Sequence, residues 1–257
     1  MWLYPRMVVW VILTVLAGVL ARLPFAQVPI IPHYLDFHPG IALVPLSGVF
    51  FGPAGAWGSA LASIAGDAMF DMLDTLSVFR ALGFFLCAWA TQRLWDCLTN
   101  DEEWRDRRPT WTQTLRFIFT CWPGCVIAAL WPAFGSEWMR TYPFVYIAGI
   151  LVLNNLLFCT LLGLPLYRLM ARHWVINFGT WRRIMSRSPL PGATSPVSAA
   201  LILIGAFGAG LVGWYVSGAC YRVHLWQPFV LGTHTGQWLV WAIAPFLILQ
   251  LVGLFRK

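Results

Sequence analysis

The sequence predicts an all-α fold, a polytopic membrane bundle of about eight transmembrane helices, and three observations predict it. Of the 257 residues 59% are hydrophobic and only 11% charged, against roughly 25% charged in an ordinary globular domain. The mean hydropathy is +0.69. The apolar residues fall in runs near the ~20 residues a bilayer crossing needs, separated by short polar, proline-bearing connections. The sequence pI of about 9.4 therefore does not point to nucleic acid; in such a chain arginines mark the sides of a membrane. The partner expected first is the lipid bilayer, and the sixteen Trp suit its interfacial belts.

Taken in order, residues 7–25 supply a first span. A cleaved signal peptide is the rival reading, but its charged region would hold only Arg6 and the apolar run is long for that role. Ala17 and Ala21 stand one turn apart on this helix, small residues suited to contact with another helix. Residues 27–36 (QVPIIPHYLD) carry two prolines and polar side chains and read as an external loop. Two apolar arms follow, 38–51 and 54–73, joined at Phe51-Gly52-Pro53, where Pro lacks an N–H and Gly tolerates turn geometry. The second arm opens with Gly55, Gly58, Ser59, Ala62 and Gly66, spaced to let helices approach closely.

A fourth span covers 76–95 and the polar segment 100–109 follows it. The fifth, 115–134, is interrupted by Pro123 and Gly124, and a short polar connection over 135–142 carries Glu137 and Arg140. The sixth, 144–169, holds Asn154 and Asn155 near its middle. The chain divides into a six-helix core (1–170), a basic cytoplasmic loop (171–196) and a two-helix extension (197–257). That extension has a glycine-rich seventh span, 197–216, with Gly205 and Gly208, and an eighth, 238–255. Between these lies an aqueous stretch with Cys220, Arg222, His224 and His234, whose histidines have no spaced partner on a helix for pigment or haem.

Charge sets the expected topology. With both termini in the cytoplasm and eight spans, thirteen of the seventeen basic residues lie inside and only Arg22, Arg80, Arg140 and Arg222 outside, as the positive-inside rule requires. Were Gly52-Pro53 a kink within one span, the 100–109 and 172–196 loops would lie opposite Arg6. A hairpin is therefore expected, in a multi-pass protein of the inner (plasma) membrane.

Asp67, Asp71 and Asp74 fall at i, i+4 and i+7, on one helical face. Asp67 is about 13 residues, roughly 20 Å, from the turn, in the outer part of the bilayer, where a carboxylate costs at least ~2.5 kcal/mol. Asp67, Asp71 and Asp36, with Asn154 and Asn155, are candidate solute-binding residues. Asp74 also reads as a cap of the next helix or a partner of Arg80, and Asp71 as a wetted interface residue. Asp36 lies on the same side with His33 and His38, and imidazole plus carboxylate is a donor set for a divalent transition metal such as Co, Ni or Zn. Asn154 and Asn155 point about 100° apart, so one faces a pocket or makes an interhelical hydrogen bond. Six scattered Cys give no disulfide framework. Cys121 and Cys125 share a face and read as a buried inert pair.

The Pro39–Gly66 run PGIALVPLSGVFFGPAGAWGSALASIAG, the following Asp67, the Ala17/Ala21 helix, the proline-rich loop and the polar-centred sixth span together resemble the S component of energy-coupling factor vitamin transporters, over residues 7–170. The run is also somewhat similar to membrane-associated sensor (MASE-type) domains. The first resemblance implies a six-helix bundle with an outward pocket and the 27–36 loop as its lid. It also implies a coupling subunit contacted through Ala17 and Ala21. Two further helices after Met170 depart from it.

The function expected is uptake of a vitamin-like small molecule or a cation, bound among the first six helices. An accessory subunit of a larger membrane complex, using Gly205 and Gly208 as contacts, is the alternative; a sensor module is a third. No nucleophile elbow, phosphate loop, HExxH or CxxCH motif occurs, so an enzyme is not expected and no cofactor is identified beyond a transition metal as ligand.

Overall fold

The computed structural model describes residues 5–25, 29–31, 35–36, 38–99, 110–178, 181, 194–220 and 237–256. Helix α1 (Pro5–Arg22) ends in a 3₁₀ turn. A short antiparallel pair, β1 (Pro29–Ile31) and β2 (Leu35–Asp36), follows in the segment expected to be an open loop. A 3₁₀ turn (Pro39–Ala42) leads into α2 (Leu43–Phe51), then come α3 (Pro53–Met69), α4 (Thr75–Leu98), α5 (Trp111–Trp138) and α6 (Phe144–Phe158). A π turn (Cys159–Gly163) joins α6 to α7 (Leu164–Phe178), and α8 (Pro196–Tyr215) and α9 (Gln237–Phe255) complete the helices. Five described stretches are long and apolar enough to cross a membrane: Pro5–Phe25, Trp111–Trp138, Phe144–Arg172, Pro196–Gly218 and Trp238–Phe255. The protein is a helical membrane bundle.

The chain doubles back at Gly52. In a continuous helix, residues twelve apart stand about 18 Å from one another, yet the Ser47 and Ser59 hydroxyls are 2.9 Å apart. Gly52 makes the reversal at φ +57°, a conformation that side chains with a Cβ resist. Close packing of the arms rests on Gly55, where a Cβ would stand 2.0 Å from the carbonyl oxygen of Ser47. The small-residue face of α3 is thus spent on its neighbours. Gly55 meets α2, and Gly58 meets Thr14 of α1.

Helix α5 is the axis of the bundle, with 83% of its membrane-length window buried against 22–39% in the other four long spans. It overruns the expected 115–134 at both ends. A capping box between Thr110 and Gln113 starts it. At its far end, buried Glu137 accepts the Phe144 N–H that opens α6, at 2.7 Å. Pro123 and Pro132 both lie inside α5, and each removes one helical donor. The π turn after α6 has a similar origin, because Pro165 can neither donate to the preceding turn nor fit against it.

One core joins α1 to α7 through Trp10, Phe50, Phe117 and Tyr167. A second joins α4, α5 and α6 to α8 and α9 through Leu86, Leu130, Ile147, Ala206 and Ile243. The C-terminal hairpin therefore shares a core with the first six spans. This corrects the expectation for Gly205 and Gly208 as partner contacts. A Cβ at Gly205 would lie 2.6 Å from the Phe246 oxygen, and one at Gly208 would lie 2.3 Å from the Phe246 ring. Both glycines are occupied within the chain, seating α8 on α9.

Asp74 caps α4, accepting the Ser77 N–H at 2.8 Å while Ser77 Oγ accepts the Asp74 N–H at 3.2 Å. Asp74→Ala is expected to lower stability by about 1 kcal/mol, read as a small fall in melting temperature, with Asp74→Ser retaining most of it.

Candidate functional site

Two ends of the bundle differ in chemistry. The Gly52 end gathers Arg6, Arg93, Arg116, Arg168, Arg172 and Arg256, tied together by contacts such as Trp10 on Phe51 and Arg93 Nη2 on the Arg256 carbonyl. The opposite end holds Arg22, Asp67, Asp74, Arg80 and His38, and the candidate site lies there.

Its centre is Asp67, wholly buried near the end of α3. Asp67 Oδ1 accepts from Arg22 Nη1 at 2.6 Å. Asp67 Oδ2 stands 3.1 Å from Arg80 Nε, an ion pair whose alignment falls short of a hydrogen bond. Arg80 Nη2 also donates to Asp74 Oδ1 and to the Met72 carbonyl, each at 3.1 Å. Gly66 makes the first contact possible, since a Cβ there would lie 2.8 Å from Arg22 Nη1. The Arg22 guanidinium further stacks 5.5 Å from the Phe70 ring centroid. Two guanidinium groups thus hold one buried carboxylate, which satisfies the desolvation cost that a lone membrane carboxylate would carry.

Beside this cluster is a cavity with about 50 Å³ open to water centres, room for a few waters at ~10–15 Å³ each or for one polar group of a solute. Arg22, Asp67 and Arg80 form one wall; His38, Asn154 and Asn155 form others, with Phe84 and Pro132 closing it. A smaller hollow of about 20 Å³, lined by Thr14, Gly18, Ser59 and Ser63, adjoins it across His38. Asn155 turns its amide to the Cys125 carbonyl at 3.1 Å, the interhelical bond that registers α6 on α5. Asn154 is also buried and lines the cavity, and its Oδ1 finds no hydrogen-bond partner among the described residues.

The structure therefore brings together Asp67, Asn154, Asn155 and His38, four residues singled out in the sequence from three separate segments. It leaves Asp71 out: that residue turns outward at φ +53° and is exposed, because α3 has already ended at Met69 and its helical spacing no longer applies. His33 lies outside the described residues, as does the side chain of Asp36, whose backbone ends β2. Arg22 and Arg80 were not read as site residues. Their signal was available, because a buried Asp67 demands a positive partner and both stand at helix ends on its side of the chain. On α1, Ala17 is exposed while Ala21 sits against Gly40.

Fold and site together define a polytopic helical membrane protein with a charged cavity at one end of the bundle. No protein-family model, curated protein or solved structure matches the chain.

Proposed function

We propose that this chain binds a small solute at the outer face of the membrane, through the cavity between α3, α4, α5 and α6, as the membrane-embedded binding subunit of an uptake system. The observation that carries the reading is one cavity lined both by the buried Arg22–Asp67–Arg80 cluster and by buried Asn154, whose Oδ1 has no hydrogen-bond partner among the described residues. A buried acceptor without a partner costs about 1–3 kcal/mol, a cost that a bound donor group relieves. The described ionic side chains of the cavity are two arginines against one aspartate, so a solute presenting a polar or anionic group fits better than a bare cation. The cavity holds only such a group of a vitamin-like molecule.

In this reading the Gly52 end faces the cytoplasm, because it gathers the larger share of arginines. Thr110→Cys should then be modified by a membrane-impermeant thiol reagent only from the cytoplasmic side and Asp71→Cys only from outside. The reverse pattern would refute the orientation. The exposed Ala17 face of α1 is the proposed contact for a coupling subunit.

The direct test is thermal unfolding of the purified chain with a panel of vitamins, their carboxylate fragments, queuosine precursors, Co²⁺ and Ni²⁺. At least one organic solute should raise the melting temperature in a dose-dependent way. Asn154→Leu should abolish that rise while changing the ligand-free melting temperature little, since it removes an unsatisfied buried oxygen together with one long bond from the same amide to Asn155 Oδ1, at 3.4 Å. A panel in which nothing organic stabilises the chain, or in which Asn154→Leu responds as the wild type does, would count against the proposal.

A further inference from the structure

The second chemical cluster in the molecule is sulfur. Cys121 and Cys125 project from one face of α5, and the π turn after α6 delivers Cys159 to the same point. The three Sγ atoms all lie within 4.8 Å of one another, and Cys121 and Cys125 Sγ are 3.9 Å apart. All three residues are buried, at 1%, 0% and 2% exposure. Sequence spacing exposed only the α5 pair; Cys159 is 34 residues beyond Cys125, and only the packing of α6 on α5 adds it. That packing is registered at this level, because Asn155 Nδ2 bonds the Cys125 carbonyl and Cys125 Sγ stands 3.8 Å from the Asn155 carbonyl.

We infer that Cys121, Cys125 and Cys159 form a binding site for a soft, thiophilic monovalent cation, Cu(I), in the interior of the bundle. With a metal–thiolate bond of about 2.3 Å, three sulfurs arranged trigonally stand about 4 Å apart, close to the spacing seen for Cys121 and Cys125. Donor type and number narrow the metal. Thiolates select Cu(I), Zn or iron–sulfur clusters, whereas Mg, Ca and Mn want oxygen. Structural Zn is almost always four-coordinate, and the group brought together among the described residues supplies three sulfurs, with no imidazole or carboxylate. Cys87 on α4 approaches Gly124 beside this group but lies outside the 4.8 Å set. The surroundings are apolar, with Phe117, Ala128 and Phe158 in the same core. Binding involves no change of oxidation state: metal–sulfur bonds form, and each thiol that ionises releases its proton. The cavity lies close by, its wall including Ala128, three residues after Cys125, and Asn155.

The test uses the reduced, full-length chain in detergent under anaerobic conditions, titrated with Cu(I) against a chromophoric Cu(I) chelator. The wild type should withdraw one Cu(I) per chain, with X-ray absorption showing sulfur-only ligation. Disturbing a supporting residue around a metal already costs about 10–100-fold in affinity, so Cys121→Ser and Cys159→Ser should each lose at least about tenfold. Cys97→Ser, outside the cluster, should bind as the wild type does. Failure of the wild type to take Cu(I) from the chelator would overturn the inference whatever the variants do. Full uptake by a folded Cys121→Ser/Cys159→Ser double variant would do the same, as would preferential Zn(II) uptake that needs Cys87.

Discussion

Asp67→Ala is expected to lower the stability of the detergent-solubilised protein by about 3–5 kcal/mol, the cost of stripping one partner from a buried ion pair. The reason is the asymmetry of the site: one carboxylate sits between Arg22 and Arg80, so its loss leaves two largely buried guanidinium groups facing each other, with only Arg80 keeping a second carboxylate, Asp74. The measurement is thermal or denaturant unfolding followed by tryptophan emission. Shortening the aspartate should also remove whatever solute-dependent stabilisation the cavity provides. A second substitution separates charge from packing. Arg22→Met in the Asp67→Ala background should recover part of the loss, because it removes one of the stranded charges and keeps the volume. A single variant as stable as the wild type would mean that the cluster is hydrated and open, contrary to its burial.

Gly55→Val is the second change with a large expected effect. The added Cβ would meet the carbonyl oxygen and carbon of Ser47 at 2.0 and 2.3 Å. Both are backbone atoms, so no rotamer change relieves the clash and the hairpin arms must part. Overpacking of this kind usually costs about 1–3 kcal/mol and sometimes more; here the upper end is expected, with loss of the monodisperse species on size exclusion. Gly210→Ala is the matched control. Its Cβ would find only the Leu130 side chain, at 3.9 Å, so no loss is expected, and the better helix propensity of alanine makes a small gain the natural outcome. Equal effects at the two positions would refute close arm packing as the basis of the hairpin.

The helical membrane class and the reversal at Gly52-Pro53 were legible because both follow from local rules, apolar run length and the distribution of arginines. Asp67 was legible for the same kind of reason, as a carboxylate within an apolar helix. Asp71 misled because the i+4 argument assumes that the helix continues, and α3 stops two residues earlier. Gly205 and Gly208 misled differently. A small-residue face announces close helix contact but not whose helix, and α9 of the same chain takes it. What could not be read was convergence. Arg22 is 45 residues from Asp67, and no spacing rule links Cys159 to Cys121; the first meeting depends on how α1 lies against α3, the second on how the α6 end lies against α5.

The prolines of α5 carry a consequence for the proposed binding role. Pro132 has no N–H to give the carbonyl of Ala128, and both residues border the cavity. That oxygen lies against Gly83 of α4, where an added Cβ would stand 3.0 Å from it. On the proposed binding role, a carbonyl left without its helical donor by Pro132 would be a main-chain contribution that substitution at position 128 does not remove. On that same role, swapping side chains around the cavity should retune which solute is preferred more readily than it abolishes binding of a hydrogen-bond donor.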